Sequence, residues 1–88
     1  PNSIVEAINY NLPVIATSCK GGTKEILLNG KGGDLFPINN HKILTKKINE
    51  FFNNMRPLNK KLVLARKNIQ KYSIDTNLYK YNKLFSKV

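Results

Sequence analysis

The apolar run Pro13-Val14-Ile15-Ala16-Thr17 is the feature that most constrains the fold of this chain. It is short, uncharged, rich in β-branched residues and bounded by turn-forming residues, which is typical of a strand buried on both faces in a parallel sheet. The elements predicted around it follow the order helix, strand, helix, strand, helices. This order indicates an α/β fold with parallel strands.

The predicted elements rest on local start and stop signals. Ser3 and Glu6 fit a capping box, and Asn11 suits a left-handed helix terminator. In the first half, the sequence predicts a helix from Ile4 to Tyr10, a strand from Pro13 to Thr17, a short helix capped by Thr23 through Leu28, turns at Asn29-Gly30 and Gly32-Gly33, and a strand from Asp34 to Phe36. In the second half, it predicts a helix from Asn39 or Asn40 to Asn53 and another from Asn59 to Lys71. A joint from Ser73 to Thr76, with Asp75 as a cap, precedes a last helix.

The domain organisation is predicted to be one partial domain over residues 1–88. Residues 1–37 form its α/β segment and residues 38–88 form its C-terminal helices. Two parallel strands alone would leave exposed edges and half-covered faces, so they do not make a stable sheet. The chain has 88 residues and does not begin with Met, and we therefore expect it to be a fragment of a larger protein.

Composition excludes several classes of site. Cys19 is the only cysteine and His41 the only histidine, so neither an internal disulfide nor a multi-His or Cys-based metal cluster is available. No run approaches the ~20 apolar residues of a membrane span, and no secretory signal is visible. The net charge of +10 favours anionic partners, although 13 of the 15 cations are Lys. Most of these lysines are expected to solvate helix faces.

The ordered motifs of the first 37 residues resemble the C-terminal domain of retaining glycosyltransferases with the GT-B fold, in glycosyltransferase family four (group 1). Members often read E-G-F-P-N-x-x-x-E-A-x-x-x-x-x-P-V-I-A-T, then G-G-x-x-E-I-L, then N-G-x-x-G. This chain supplies Pro1 to Ala7, Leu12 to Thr17, Gly21 to Leu27 and Asn29 to Gly33 at matching spacing. The resemblance implies a partial Rossmann-like domain, with short parallel strands followed by C-terminal helices.

The resemblance also implies the site. Glu6 matches the second of the family's two glutamates and would orient the donor ribose, while the first would lie just before Pro1. A helix N-terminus suits a diphosphate, because its free N–H groups and positive dipole end face the anion. The implied donor-binding residues are Glu6, Pro1, Asn2 and Ser3, with Gly21 and Gly22 in a tight turn of the site loop. No catalytic residue is assigned, and no metal or other cofactor is implied.

The implied activity is transfer of a sugar from a nucleotide-sugar donor to an acceptor with retention of configuration, as in cell-surface polysaccharide biosynthesis. The acceptor, either lipid-linked or another glycan, stays open. The missing N-terminal portion of the same protein would be a further partner, so the 88-residue chain alone is expected to be inactive. A cytoplasmic location is expected, and the Lys excess would also suit the anionic inner face of a membrane.

Other functions and roles stay open on the sequence. The pairs Lys46-Lys47, Lys60-Lys61 and Arg66-Lys67 on successive helices would suit a small nucleic-acid-binding module, but Arg is scarce and no binding motif is present. A non-functional remnant is a further alternative.

Individual residues also have simpler roles. Glu6 could serve only as a cap partner of Ser3, and Glu25 could only favour its helix dipole. Cys19 is not expected to be a nucleophile, because no base partner lies near it in sequence.

Overall fold

A computed structural model describes the backbone of residues 2–18 and 22–86, and the side chains of residues 3–18 and 22–71. This part of the chain contains four α-helices and two strands, and the last two helices follow each other. In chain order they are α1 (Asn2–Asn9), β1 (Ile15–Thr17), α2 (Thr23–Ile26), β2 (Asp34–Phe36), α3 (His41–Asn53) and α4 (Arg56–Ser86).

The two strands pair in parallel, with Ala16 of β1 opposite Leu35 of β2. The ladder continues past both strand ends, because Asp34 donates to the carbonyl of Val14 at 3.0 Å and Ser18 donates to the carbonyl of Phe36 at 2.7 Å. Helices precede, separate and follow the strands. The predicted α/β class with short parallel strands followed by C-terminal helices is confirmed.

The prediction that β1 is buried on both faces is only partly right. All three residues of β1 are half-buried rather than buried. In the described part of the chain the sheet holds two strands, so β1 has one neighbouring strand instead of two. A strand at the edge of a sheet lacks the lateral cover that buries a central parallel strand.

The core lies on one face of the sheet and joins the N-terminal helices to the C-terminal ones. Its buried side chains come from α1, from Leu27 directly after α2, and from α4, and half-buried side chains of Val14, Ala16 and Leu35 pack against them. The buried set is Ile8, Leu27, Leu62, Ala65 and Ile69. Because α4 shares this core with α1, side chains from before and after residue 38 pack against each other.

Two glycines allow the chain between α2 and β2 to approach its neighbours closely. A Cβ atom on Gly33 would lie 2.9 Å from the carbonyl oxygen of Val14 and 3.0 Å from a methyl group of Leu27. A Cβ atom on Gly32 would lie 3.0 Å from the Cβ of Ala65. All three separations are shorter than ordinary van der Waals contact, so a side chain at Gly33 would clash with the backbone of Val14 and one at Gly32 would push Ala65 outward.

Helix α1 ends in a Schellman motif. The N–H of Leu12 donates to the carbonyl of Ala7 and the N–H of Asn11 donates to that of Ile8, both at 2.9 Å. Asn11 has a φ of 65°, so the predicted left-handed terminator is confirmed. At its other end, α1 begins two residues earlier than predicted, so Ser3 lies inside the first turn and not at the N-cap that a capping box requires.

Replacing Asn11 by Ala should destabilise the protein by about 1–2 kcal/mol, because a Cβ-bearing residue without a local polar side chain disfavours positive φ. Asn11→Gly is the matched control. Both variants lose the hydrogen bond that Arg66 donates to the Asn11 side chain, so the difference between them isolates the backbone effect. Denaturant unfolding measures both, and equal stabilities would contradict this account of the turn.

The segment between α2 and β2 differs in detail from the prediction. Gly22, with a φ of 89°, occupies the N-cap position of α2, so Thr23 is its first residue rather than its cap. The helix then gives way to a 3₁₀ turn over Leu28–Gly30, in which all three residues have positive φ. Helix α2 therefore ends at Ile26, two residues earlier than predicted. A left-handed turn suits Asn29 and Gly30, and the predicted turn at these two residues is confirmed.

Helix α3 begins as predicted, because the Asn40 side chain accepts a hydrogen bond from the N–H of Ile43 at 3.1 Å. Its apolar side chains are only partly covered: Ile43, Leu44 and Phe51 are half-buried, whereas Phe52 is 70% exposed. Helix α3 contacts both short strands, and this narrow sheet cannot cover all of its apolar side chains.

The predicted joint at Ser73–Thr76 is wrong. Helix α4 runs without interruption from Arg56 to Ser86, so Asp75 lies inside a helix instead of capping one. The sequence after Pro57 contains neither Gly nor Pro. Ser, Asp and Thr lower helix propensity by only a few tenths of a kcal/mol each, which is too little to end a helix.

Candidate functional site

We expect the candidate site at the carboxyl edge of the sheet. Helix α1 ends in the Schellman motif at Asn11, and β1 begins four residues later at Ile15. Helix α1 rises about 12 Å over its eight residues, and an extended segment from Val14 to Ser18 covers about 16 Å. A strand of this length that runs back along α1 would end level with the first turn of α1. We therefore expect the end of β1 and the start of α1 to lie at the same edge of the sheet, where open α/β sheets bind ligands.

Glu6 and Ser3 share the side of α1 that faces away from the core. Both are exposed, whereas Ile8 is fully buried and Ile4 and Val5 pack against the core. Residues three apart lie one above the other on a helix, so Ser3 and Glu6 form one polar surface at the start of α1. Among the described residues, the Glu6 carboxylate forms no ion pair, and it can therefore accept hydrogen bonds from a ligand.

The other candidate site residues are described to different extents. Asn2 is the first residue of α1, and its side chain lies outside the described part. Pro1 and Gly21 lie outside the described residues, as does Cys19. Gly22 directly precedes α2, and its carbonyl accepts the first hydrogen bond of this helix, from Ile26 at 2.9 Å. The assignment of these residues to a donor site stays a prediction.

Glu25 lies in the first turn of α2 and is exposed. It lines a shallow depression of about 290 Å³ together with Lys24, Leu28 and Asn29. A carboxylate in the first turn of a helix is stabilised by the helix dipole, as expected for Glu25.

A second concave region lies at the opposite edge of the sheet. Asp34 begins β2, and the Nζ of Lys61 donates to its carboxylate at 2.6 Å, while the Nζ of Lys47 lies 3.9 Å from it. These residues line a cleft of about 510 Å³ between α3 and α4, with Phe51 and Leu58 among its apolar walls. Sequence reasoning did not detect this cluster, because residues 34, 47 and 61 carry no common motif.

The described residues contain neither a metal-binding group of side chains nor a membrane-spanning helix. No group of three or more His, Cys, Asp or Glu side chains lies close enough together to hold a metal ion. Over the same residues, no helix combines the length and the apolarity needed to cross a membrane.

Comparison with known proteins assigns the chain to a family. A family model described as glycosyl transferases group 1 matches residues 1–72. Over 27 residues the chain is 59% identical to an uncharacterized glycosyltransferase of Methanocaldococcus jannaschii, and this segment covers 31% of the chain but only 7% of that protein. No solved structure matches the chain. Because the family model spans most of its length, the chain belongs to the group 1 glycosyltransferases.

Proposed function

We propose that the full-length protein transfers a sugar from a nucleotide-sugar donor to an acceptor with retention of configuration, and that this chain supplies part of the donor site. Membership of the group 1 glycosyltransferases supports sugar transfer in general. The family-four assignment and retention rest on the motif resemblance around Glu6.

The exposure of the Glu6 carboxylate, on the side of α1 that faces away from the core, is the observation that supports this proposal. A carboxylate can accept hydrogen bonds from both ribose hydroxyls, and such charge-assisted bonds are roughly twice as strong as neutral ones. One turn earlier, the N–H groups of the first residues of α1 have no partner within the helix. They and the positive end of the helix dipole suit the donor diphosphate.

The chemistry proposed here needs no cofactor. Positioning of donor and acceptor, together with stabilisation of the charge that develops on the leaving diphosphate, supplies the rate enhancement. Gly21 and Gly22 would let the loop after β1 turn tightly beside the sugar. The remaining side of the cleft would come from other parts of the protein, so the 88-residue chain alone should be inactive.

The acceptor and location form the less specific part of the proposal. We assign the protein to the cytoplasm, where nucleotide sugars are donors for cell-surface polysaccharide biosynthesis, with a lipid-linked or other glycan acceptor. The net charge of +10 supports a position near an anionic membrane surface.

Transfer assays with the purified full-length protein test this function. Nucleotide sugars would be screened by release of the nucleoside diphosphate, and the anomeric configuration of the product would be determined by NMR. We expect one donor class to be used and the donor configuration to be kept. Inversion would overturn the retaining assignment, and turnover by the 88-residue chain alone would overturn the proposed inactivity.

A further inference from the structure

Helix α4 presents two unlike faces between Arg56 and Lys71. Its inner face carries Leu58, Leu62, Ala65 and Ile69, which are buried. Six exposed residues project on the opposite side, within about 100° of the helix circumference at 3.6 residues per turn. This outer face of α4 consists of Arg56, Lys60, Val63, Leu64, Lys67 and Lys71.

The charge on this part of α4 is of one sign. Residues 56–71 contain six cations and no Asp or Glu, and the nearest acid along the helix is Asp75, one turn beyond the outer face. Two of the six cations contact other elements, because Lys61 pairs with Asp34 and Arg66 donates to Asn11. The other four all belong to the outer face and extend along about 22 Å of helix.

Two apolar side chains lie in the middle of these cations. Val63 is 53% exposed and Leu64 is 47% exposed, although each occupies a helix position at which a polar residue would fit equally well. Lysines can surround such residues because their alkyl stems lie along apolar surface while their ammonium groups stay in water. An apolar centre flanked by cations is typical of helices that lie in a membrane interface.

We propose that the outer face of α4 binds the surface of an anionic lipid bilayer, with Val63 and Leu64 in contact with the headgroup and acyl boundary. Clusters of four or more Lys or Arg on an amphipathic helix are typical of binding to anionic lipid. A second copy of the chain would be repelled by the same charge. Nucleic acid is less well matched, because three of the four cations are Lys and exposed aliphatic side chains add nothing to phosphate contacts.

This surface is separate from the candidate donor site and does not rest on the proposed sugar transfer. The donor residue Glu6 lies on α1, whose inner face packs against the inner face of α4. Binding through the outer face would hold the protein beside a membrane without covering α1.

Vesicle flotation with the full-length protein tests the proposal. The vesicles would contain phosphatidylcholine alone or phosphatidylcholine with phosphatidylglycerol. We expect binding to the anionic vesicles only, and the triple variant Lys60→Gln/Lys67→Gln/Lys71→Gln should lower the partition coefficient about 100-fold, since each lysine near an anionic surface contributes about a fivefold change.

A second triple variant provides the matched control. Lys24, Lys31 and Lys42 are exposed and lie outside α4, so Lys24→Gln/Lys31→Gln/Lys42→Gln removes the same charge from other elements. It should retain most of the vesicle binding. Equal losses in the two triple variants would show that binding follows net charge alone and would overturn the assignment to α4.

A charge-neutral variant tests the apolar contact. Val63→Ser/Leu64→Ser should weaken vesicle binding several-fold at unchanged net charge, since less apolar area enters the interface. Unchanged vesicle binding in this variant would contradict that contact. The protein could instead bind duplex DNA or RNA more tightly than anionic vesicles at about 0.15 M salt, and lose this binding in the α4 triple variant. That result would identify nucleic acid as the partner and overturn the proposal.

Discussion

Replacing Glu6 by Gln in the full-length protein should lower kcat/KM for the nucleotide-sugar donor by about 100-fold. Gln keeps the shape of the side chain, but its amide presents one acceptor oxygen where the carboxylate presents two. One hydrogen bond from a ribose hydroxyl is then lost and the other becomes a neutral one. Bonds to charged groups contribute about 1.5–3 kcal/mol each, so a loss near 3 kcal/mol corresponds to this factor.

Steady-state kinetics with varied donor concentration would measure the effect, and the thermal unfolding temperature would show that the fold is intact. Because Glu6 is exposed and faces away from the core, the substitution should leave stability within about 0.5 kcal/mol. Glu50→Gln makes the same chemical change at an exposed position on α3 and should leave kcat/KM unchanged. Wild-type kinetics in Glu6→Gln would remove the basis for a ribose-binding role.

Replacing Leu27 by Ala should have the largest effect on stability. Leu27 is fully buried, belongs to the core that joins α1, α2 and α4, and contacts the close turn at Gly33. Truncating a buried Leu to Ala removes transfer free energy and leaves a cavity, at a cost of about 2–5 kcal/mol. The glycine turn is held at both ends, because the N–H of Gly32 donates to the carbonyl of Leu27 at 2.8 Å and the N–H of Asp34 donates to that of Val14 at 3.0 Å. It cannot readily collapse into the cavity, so we expect a value in the upper half of the range.

Denaturant unfolding of the full-length protein, or resistance to proteolysis if several transitions overlap, would measure the loss. Leu64→Ala is the matched control, since it makes the same truncation on an exposed face of α4. Its effect should stay within about 0.5 kcal/mol. If the Leu27 variant were as stable as the Leu64 variant, the core described here would not be what joins the N-terminal segment to α4.

The local sequence determined most of the elements and the class of the fold. The β-branched run after Pro13, the left-handed Asn11 and the Asn40 cap each act over a few residues, and the structure shows a strand, a helix end and a helix start at these places. The candidate site was also a local prediction, because Ser3 and Glu6 come from one motif and one helix. The amphipathic pattern of α1 alone places both away from the core.

Contacts between distant residues decided features of the structure that local sequence signals do not determine. The ion pair between Asp34 and Lys61 joins residues 27 positions apart, and the same lysine had been counted among the cations available to nucleic acid. The unbroken helix through Ser73–Thr76 shows that weak local preferences do not fix a boundary when no Gly or Pro enforces it.

The cations of the outer face of α4, which pair with no acid among the described side chains, could be recognised only after the core was known. Helical periodicity marks which residues share a side, but packing against Ile8 and Leu27 decided which side of α4 is buried. Sequence therefore determined the elements and the polar surface of α1, because both depend on interactions within one or two turns. The choice of which charges are paired and which are free depended on contacts between distant segments, and these form only when the chain packs.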